Sequence, residues 1–213
     1  MKKSILMVMA ICLVCFSYAQ SDKYVNAMKQ NIQKLDSANQ NNNFAVVAND
    51  FTRIADAEKT QWLPYYYAAY ATVQQAYNEK DNNSKDAIAD KANTLIAKAE
   101  SILGKENSET AVIKSMIATA HMMVDPQSRF MSYGSEAAGL MKKAASLDPT
   151  NPRPELLQAQ TTYFTPEAFG GGKDAAKPLF EKAISMFKTF KPESDIAPTW
   201  GQGAAQYFLS QYK

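Results

Sequence analysis

Histidine, cysteine and paired carboxylates are where chemistry would start, and this sequence is sparing with all of them. His121 is the only histidine. It sits in Ile117-Ala118-Thr119-Ala120-His121-Met122-Met123, a run with the character of an apolar helix. A zinc site needs several His, Cys or acidic ligands converging on one point. A Ser-His-Asp triad on an α/β scaffold needs a nucleophile raised on a strained turn. Neither pattern accompanies His121, which reads as a structural residue. Glu79, Asp81, Asp86 and Asp90 gather around one loop and the helix start after it. Their spacing defines no acid/base pair, so they read as solvated surface. Gly170-Gly171-Gly172-Lys173 superficially offers a phosphate cradle. It lacks the upstream glycine and downstream Lys-Ser/Thr of a phosphate-binding loop, and reads as a tight interhelix turn. No dinucleotide fingerprint or calcium loop occurs. The sequence therefore predicts a non-enzyme, with no catalytic residue, no metal ligand and no cofactor.

Large aromatic side chains are the remaining candidates for recognition. The first block is Trp62-Leu63-Pro64-Tyr65-Tyr66-Tyr67-Ala68-Ala69-Tyr70, with Tyr77 two turns on. Three consecutive residues of a helix point in three directions, so one tyrosine could look toward a groove or solvent; the preferred reading is packing between helices with the phenol groups hydrogen-bonded at the rim. The second is Tyr163-Phe164-Thr165-Pro166-Glu167-Ala168-Phe169-Gly170-Gly171-Gly172, answered downstream by Pro198-Thr199-Trp200-Gly201. Trp200 is expected in the first turn of a final helix, covered by Phe164, Phe169 and Phe187, with Gly201 and Gly203 allowing close backbone approach. From these blocks, Trp62, Tyr66, Tyr70, Phe169 and Trp200 make the candidate binding surface.

The elements that must position these rings begin after a leader. Residues 1–19 run from Met1-Lys2-Lys3 through an apolar stretch, Ile5 to Phe16, to Ser17-Tyr18-Ala19. A cationic start, a short apolar run and small residues at −3 and −1 describe a signal peptide, with cleavage expected between Ala19 and Gln20. The run is shorter than the roughly 20 residues of a membrane span. Cleavage removes both cysteines, Cys12 and Cys15, neither of which follows the small residues of a lipidation site. It also removes Lys2 and Lys3 from the 23 basic residues, leaving them equal to the 21 acidic ones. A formally neutral chain without a basic stripe argues against nucleic acid or an anionic membrane surface as partner. The expected location is the periplasm or the exterior of a bacterium.

The body of the chain is rich in alanine, and apolar residues recur at helical spacing. Helices are predicted over 22–39, 43–58, 61–80, 85–103, 108–124, 132–147, 153–163, 174–190 and 199–212, with Ser84 and Ser108 as start signals. Within them one spacing returns, small-x3-large-x2-small. It is carried by Ala137/Met141/Ala144, Ala176/Phe180/Ala183 and Ala92/Ile96/Ala99, and more weakly by Ala48/Thr52/Ala55. Small residues at such positions let two helices approach, and the large one wedges into the neighbouring pair.

These residues resemble the tetratricopeptide repeat family, most closely at Ala137–Pro149, where Leu147-Asp148-Pro149 supplies the proline that opens the next repeat. The spacing between copies exceeds the 34 residues of that family, and Trp62, Tyr66 and Tyr70 only approximate its first-helix signature. The stretch Pro166-x-x-Phe169-Gly170-Gly171-Gly172 is similar to insertions in tetratricopeptide-like bacterial lipoproteins, including the T component associated with TRAP transporters. The resemblance implies an all-α fold, with residues 20–213 as a single domain. That domain is a right-handed α-solenoid of about four degenerate hairpins with a C-terminal capping helix; an ordinary helical bundle is the alternative. It implies an exported, non-catalytic scaffold of the cell envelope whose partner is another envelope protein or peptide. The alternative function is a periplasmic binding component for a small apolar or amphipathic ligand.

Overall fold

The computed structural model describes residues 22–212; the leader and its cleavage point lie outside the described residues. Among the described residues every regular element is helical. The helices are α1 (Asp22–Asn41), α2 (Phe44–Ala57), α3 (Leu63–Asn78), α4 (Asn82–Leu103), α5 (Ser108–Val124), α6 (Ser135–Leu147), α7 (Arg153–Phe164), α8 (Lys173–Thr189) and α9 (Gln202–Ser210). Each packs against the next in the chain; between α5 and α6 the chain passes through a helical turn, Pro126–Arg129, and a π-turn, Phe130–Gly134. Contacts also skip one element: α3 meets α5, and α5 meets α7.

The local reasons for the helix ends differ slightly from the sequence cues. Asp81, not Ser84, caps α4: its carboxylate accepts from the backbone N–H of Asn83 and Ser84, so the helix opens at Asn82. Asn107 caps α5 in a reciprocal box with Thr110, one residue ahead of Ser108. Gly104 ends α4 at φ +72°, a left-handed conformation that costs glycine nothing. The sequence broke the chain at Asp125-Pro126 and restarted it at 132. In the structure Asp125 caps a new turn at Pro126, and helical backbone runs on through the π-turn into α6. The last helix starts at Gln202, so Trp200 precedes it rather than sitting in its first turn.

The repeated small-large-small positions are where the helices touch. Ala137, Met141 and Ala144 are the buried residues of α6, and Ala176, Phe180, Ala183 and Phe187 those of α8. The close approach is visible in hydrogen bonds that cross between helices. Ser108 Oγ donates to the carbonyl of Ala144 (2.8 Å) and Ser115 Oγ to that of Ala137 (2.9 Å). A larger residue at either alanine would push α5 and α6 apart.

Buried side chains form two apolar clusters. One runs through α1–α6 and takes in Leu157 and Ile196; the other joins α7, α8 and α9. Trp200 packs against both. The irregular segment between α8 and α9 makes this possible by returning to the first half of the molecule. Lys29 pairs with Asp195 (2.7 Å), and Tyr67 donates to the Ile196 carbonyl (3.0 Å). We call residues 190–201 the strap.

Candidate functional site

Helix α3 is buried all round, between α2, α4, α5 and the strap. Of the two readings of its three tyrosines, packing between helices holds and the groove-facing one does not: Tyr65, Tyr66 and Tyr67 are 8%, 0% and 1% exposed. A helix with neighbours on every side has no solvent face for a third direction to find. Each hydroxyl instead reaches a partner beyond the apolar layer. Tyr65 donates to Asp56 (2.8 Å), Tyr66 to Glu109 (2.6 Å) and Tyr67 to the strap.

Four of the five sequence candidates meet here. The Trp62 ring stands edge-on to Tyr66 at 5.7 Å, Tyr70 stacks on Trp200 at 4.4 Å, and Trp200 Nε1 donates to the Tyr66 hydroxyl (2.9 Å). Beneath them lies a polar centre that the sequence reading missed. Arg153, wholly buried, donates to Glu109 (2.8 Å), to Asn151 Oδ1 (3.2 Å) and to the carbonyl of Pro198. Its guanidinium lies between the rings of Phe190 and Trp200, 5.2 and 5.1 Å away. Asn151 Nδ2 donates to Glu109 as well (2.8 Å). Burial raises the Glu109 carboxyl above its usual range, even against the pull of Arg153 and the donors from Tyr66 and Asn151. It also pushes the Tyr66 hydroxyl well up, with the Glu109 charge adding to the effect. The sole sequence cue to Arg153 is the pair of prolines around it, Pro152 and Pro154, which stiffen its approach. This cluster is a clasp filled by the chain's own strap.

Phe169 stands apart from the clasp. It lies on a 3₁₀ turn, Glu167–Phe169, and is 80% exposed. Phe164 is 72% exposed, so neither ring covers Trp200 as the sequence suggested. The reason is local: the glycine turn folds on itself. A Cβ on Gly171 would meet the Thr165 carbonyl at 2.2 Å, and one on Gly172 would meet Glu167 Cγ at 2.6 Å. Phe187 does come close, since a Cβ on Gly201 would fall 2.7 Å from its Cζ, whereas one on Gly203 would meet nothing. The insertion and the last helix nevertheless join through other rings. Tyr163 and Phe164 of α7 pack edge-on to Phe208 of α9, at 5.0 and 5.9 Å.

His121 stacks on Tyr133 of the π-turn at 5.0 Å, and its Nδ1 lies 2.7 Å from Asp86. Arg129 donates to the same carboxylate (2.7 Å) and to the His121 carbonyl (3.0 Å). Asp86 is thus not free surface: the Arg129 hydrogen bond, seconded by His121, holds its carboxyl below the usual range. Phe130 and Met131 project from this turn, 54% and 79% exposed. Among the described residues no group of three or more His, Cys, Asp or Glu is placed to hold a metal ion. A shallow depression of about 500 Å³ lies between the α6–α7 turn and the end of α8, lined by Pro149, Thr150, Met186, Thr189, Phe190 and Lys191.

The described residues thus form an all-helical fold whose aromatic side chains gather at the clasp, at the π-turn and around α9. No family model matches the sequence, and no curated protein does. Among solved structures, the HusA haemophore from Porphyromonas gingivalis matches with a TM-score of 0.79 and 36% sequence identity, covering 92% of this chain and 95% of that one. The chain belongs to the family of that haemophore.

Proposed function

We propose that this is an exported, non-catalytic protein of the bacterial periplasm or exterior that binds haem. The observation that carries the reading is the 36% identity to a haemophore across 92% of the chain. Haem is a flat conjugated ring with two carboxylates at one edge, and aromatic side chains with nearby cations suit it. This reading develops the small amphipathic ligand that the sequence left as an alternative. Among the described residues no helix is long and apolar enough to cross a membrane, which accords with an exported carrier.

The scaffold is a tetratricopeptide-like solenoid. The contacts α3–α5 and α5–α7 support it, because the first helices of stacked hairpins must touch one another. In this reading α3, α5 and α7 form one layer, with α4, α6 and α8 as their hairpin partners. The strap lies on the aromatic cluster that the sequence offered as a binding surface and closes it.

Titration of the purified protein with haemin tests the function. A saturable shift of the haem absorption band at one haem per chain, and a haem-loaded species in native mass spectra, are expected. No shift beyond that given by an unrelated helical protein would refute it. A protein partner retained from an envelope extract, with no haem bound, would restore the scaffold reading.

A further inference from the structure

The C-terminal end carries more open aromatic surface than its packing needs. Phe208 of α9 is the hub. It stacks on Phe180 at 4.8 Å with the planes 7° apart, and meets Tyr163, Phe164 and Tyr207 edge-on at 5.0, 5.9 and 5.7 Å. Phe180 is fully buried and anchors the group, while Phe164 and Tyr207 are 72% and 63% exposed. Single exposed apolar residues are ordinary. A contiguous exposed set, touching one hub and fixed from below, marks an interaction site. Its rings are held by one another, so a ligand would find them ordered already.

Two cations border this face. Lys173 Nζ lies 5.9 Å from the centroid of the Tyr163 ring, and Lys177 Nζ lies 5.8 Å from that of Tyr212. Tyr212 in turn donates to the Lys173 carbonyl (2.6 Å), which ties the chain's end to the start of α8. Neither lysine makes an ion pair among the described residues, although Asp174 stands beside them in sequence. An apolar face edged by two unpaired ammonium groups is complementary to a flat conjugated ring that carries two carboxylates.

We propose that this face binds the tetrapyrrole, its ring lying against Phe164, Phe208 and Tyr207 and its carboxylates directed to Lys173 and Lys177. The proposal rests on the haem-binding reading above and assigns it a place. The two other aromatic surfaces serve it less well. The Trp62–Trp200 cluster is filled by the strap. At the π-turn the guanidinium of Arg129 is committed to Asp86.

Haemin titrations on the full chain decide the matter. The double variant Phe164→Ala/Tyr207→Ala removes two exposed rings, so its helical circular dichroism and melting curve stay those of the wild type. Its haemin affinity falls about tenfold or more. Lys173→Gln/Lys177→Gln weakens binding several-fold and flattens its dependence on salt. The control Phe130→Ala/Met131→Ala binds as the wild type does. Wild-type affinity in Phe164→Ala/Tyr207→Ala overturns the site and leaves haem binding standing. So does a loss confined to Phe130→Ala/Met131→Ala, which moves the ligand to the π-turn. A wild-type dimer that the Phe164/Tyr207 variant turns into a monomer, at unchanged haemin affinity, makes the face a contact between copies. A wild type that takes up no haemin overturns the function and the site together.

Discussion

Replacing Arg153 with methionine removes the charge at the centre of the clasp and keeps much of the side chain's length. The guanidinium's bonds to Glu109, Asn151 and the Pro198 carbonyl go, and the Glu109 carboxylate is left with Tyr66 and Asn151 as donors. Breaking one side of a buried ion pair costs about 3–5 kcal/mol. The two remaining donors and the 14% exposure of Glu109 place this case near the lower end. Glu109 has an escape, because it can take up a proton. Its carboxyl is already raised above 4.5 by burial, and without Arg153 it rises further. An acid whose folded pKa lies above its unfolded value contributes stability in full below the unfolded value, and loses it as pH climbs through the folded one. The deficit of Arg153→Met relative to wild type is therefore small near pH 4.5 and grows to about 3 kcal/mol at neutral pH. Urea denaturation followed by circular dichroism, at mildly acidic and mildly alkaline pH, measures it. Trp200 fluorescence reports separately whether the strap has come loose. Glu109→Gln is the counterpart: it strands the Arg153 charge, and because the wild type gives up stability as pH climbs through the raised Glu109 pKa while glutamine does not titrate, its deficit narrows with pH instead of growing. A stability within about 1 kcal/mol of wild type at both pH values, or a deficit that does not change with pH, would refute the reasoning.

Trp200→Phe keeps the stack on Tyr70 and loses the bond to the Tyr66 hydroxyl, for about 1 kcal/mol. Trp200→Ala loses both, for about 3 kcal/mol, the low end for a large aromatic because this one is only half-buried. Urea denaturation of the two variants beside the wild type checks both values. Ala144→Leu forces α5 and α6 apart at the Ser108 bond and costs about 1–3 kcal/mol. Lys143→Ala beside it breaks only a pair with Glu106 from a half-exposed lysine, and shifts stability by less than about 0.5 kcal/mol. Gly201→Ala strains a residue at φ +115° and drives a methyl into Phe187 and Leu156, lowering the melting temperature. Gly139→Ala, in open space within α6, raises it by gaining about 0.5–1 kcal/mol.

Much of the helical pattern was legible one residue at a time. Burial of Ala92/Ile96/Ala99, Ala137/Met141/Ala144 and Ala176/Phe180/Ala183 follows their spacing, since a close helix crossing admits nothing larger at the outer two positions. The start at 108 was read correctly, but the start at 82 was placed three residues late and both caps were misassigned, because Asp81 and Asn107 compete with the serines after them and only geometry shows which oxygen faces the free N–H groups. The π-turn at Phe130–Gly134 was missed because proline after Asp125 reads as a break, although it suits a helix's first turn equally well.

Local pattern could determine what depends on neighbours in sequence: helix over strand, the sites of crossing, and the scarcity of metal-binding and catalytic side chains. Partnerships across long separations were decided by the tertiary structure alone. Trp200 meets Tyr66 across 134 residues, Arg153 meets Glu109 across 44 and Tyr67 meets Ile196 across 129. Nothing in the spacing of Tyr65, Tyr66 and Tyr67 tells that a strap from the far end will cover the helix that carries them. Nor does it tell that Phe164, Lys173 and Tyr207, on three different helices, will border one face. Those positions depend on how rigid helices stack, because packing sums over the whole chain what sequence pattern records only within a few turns.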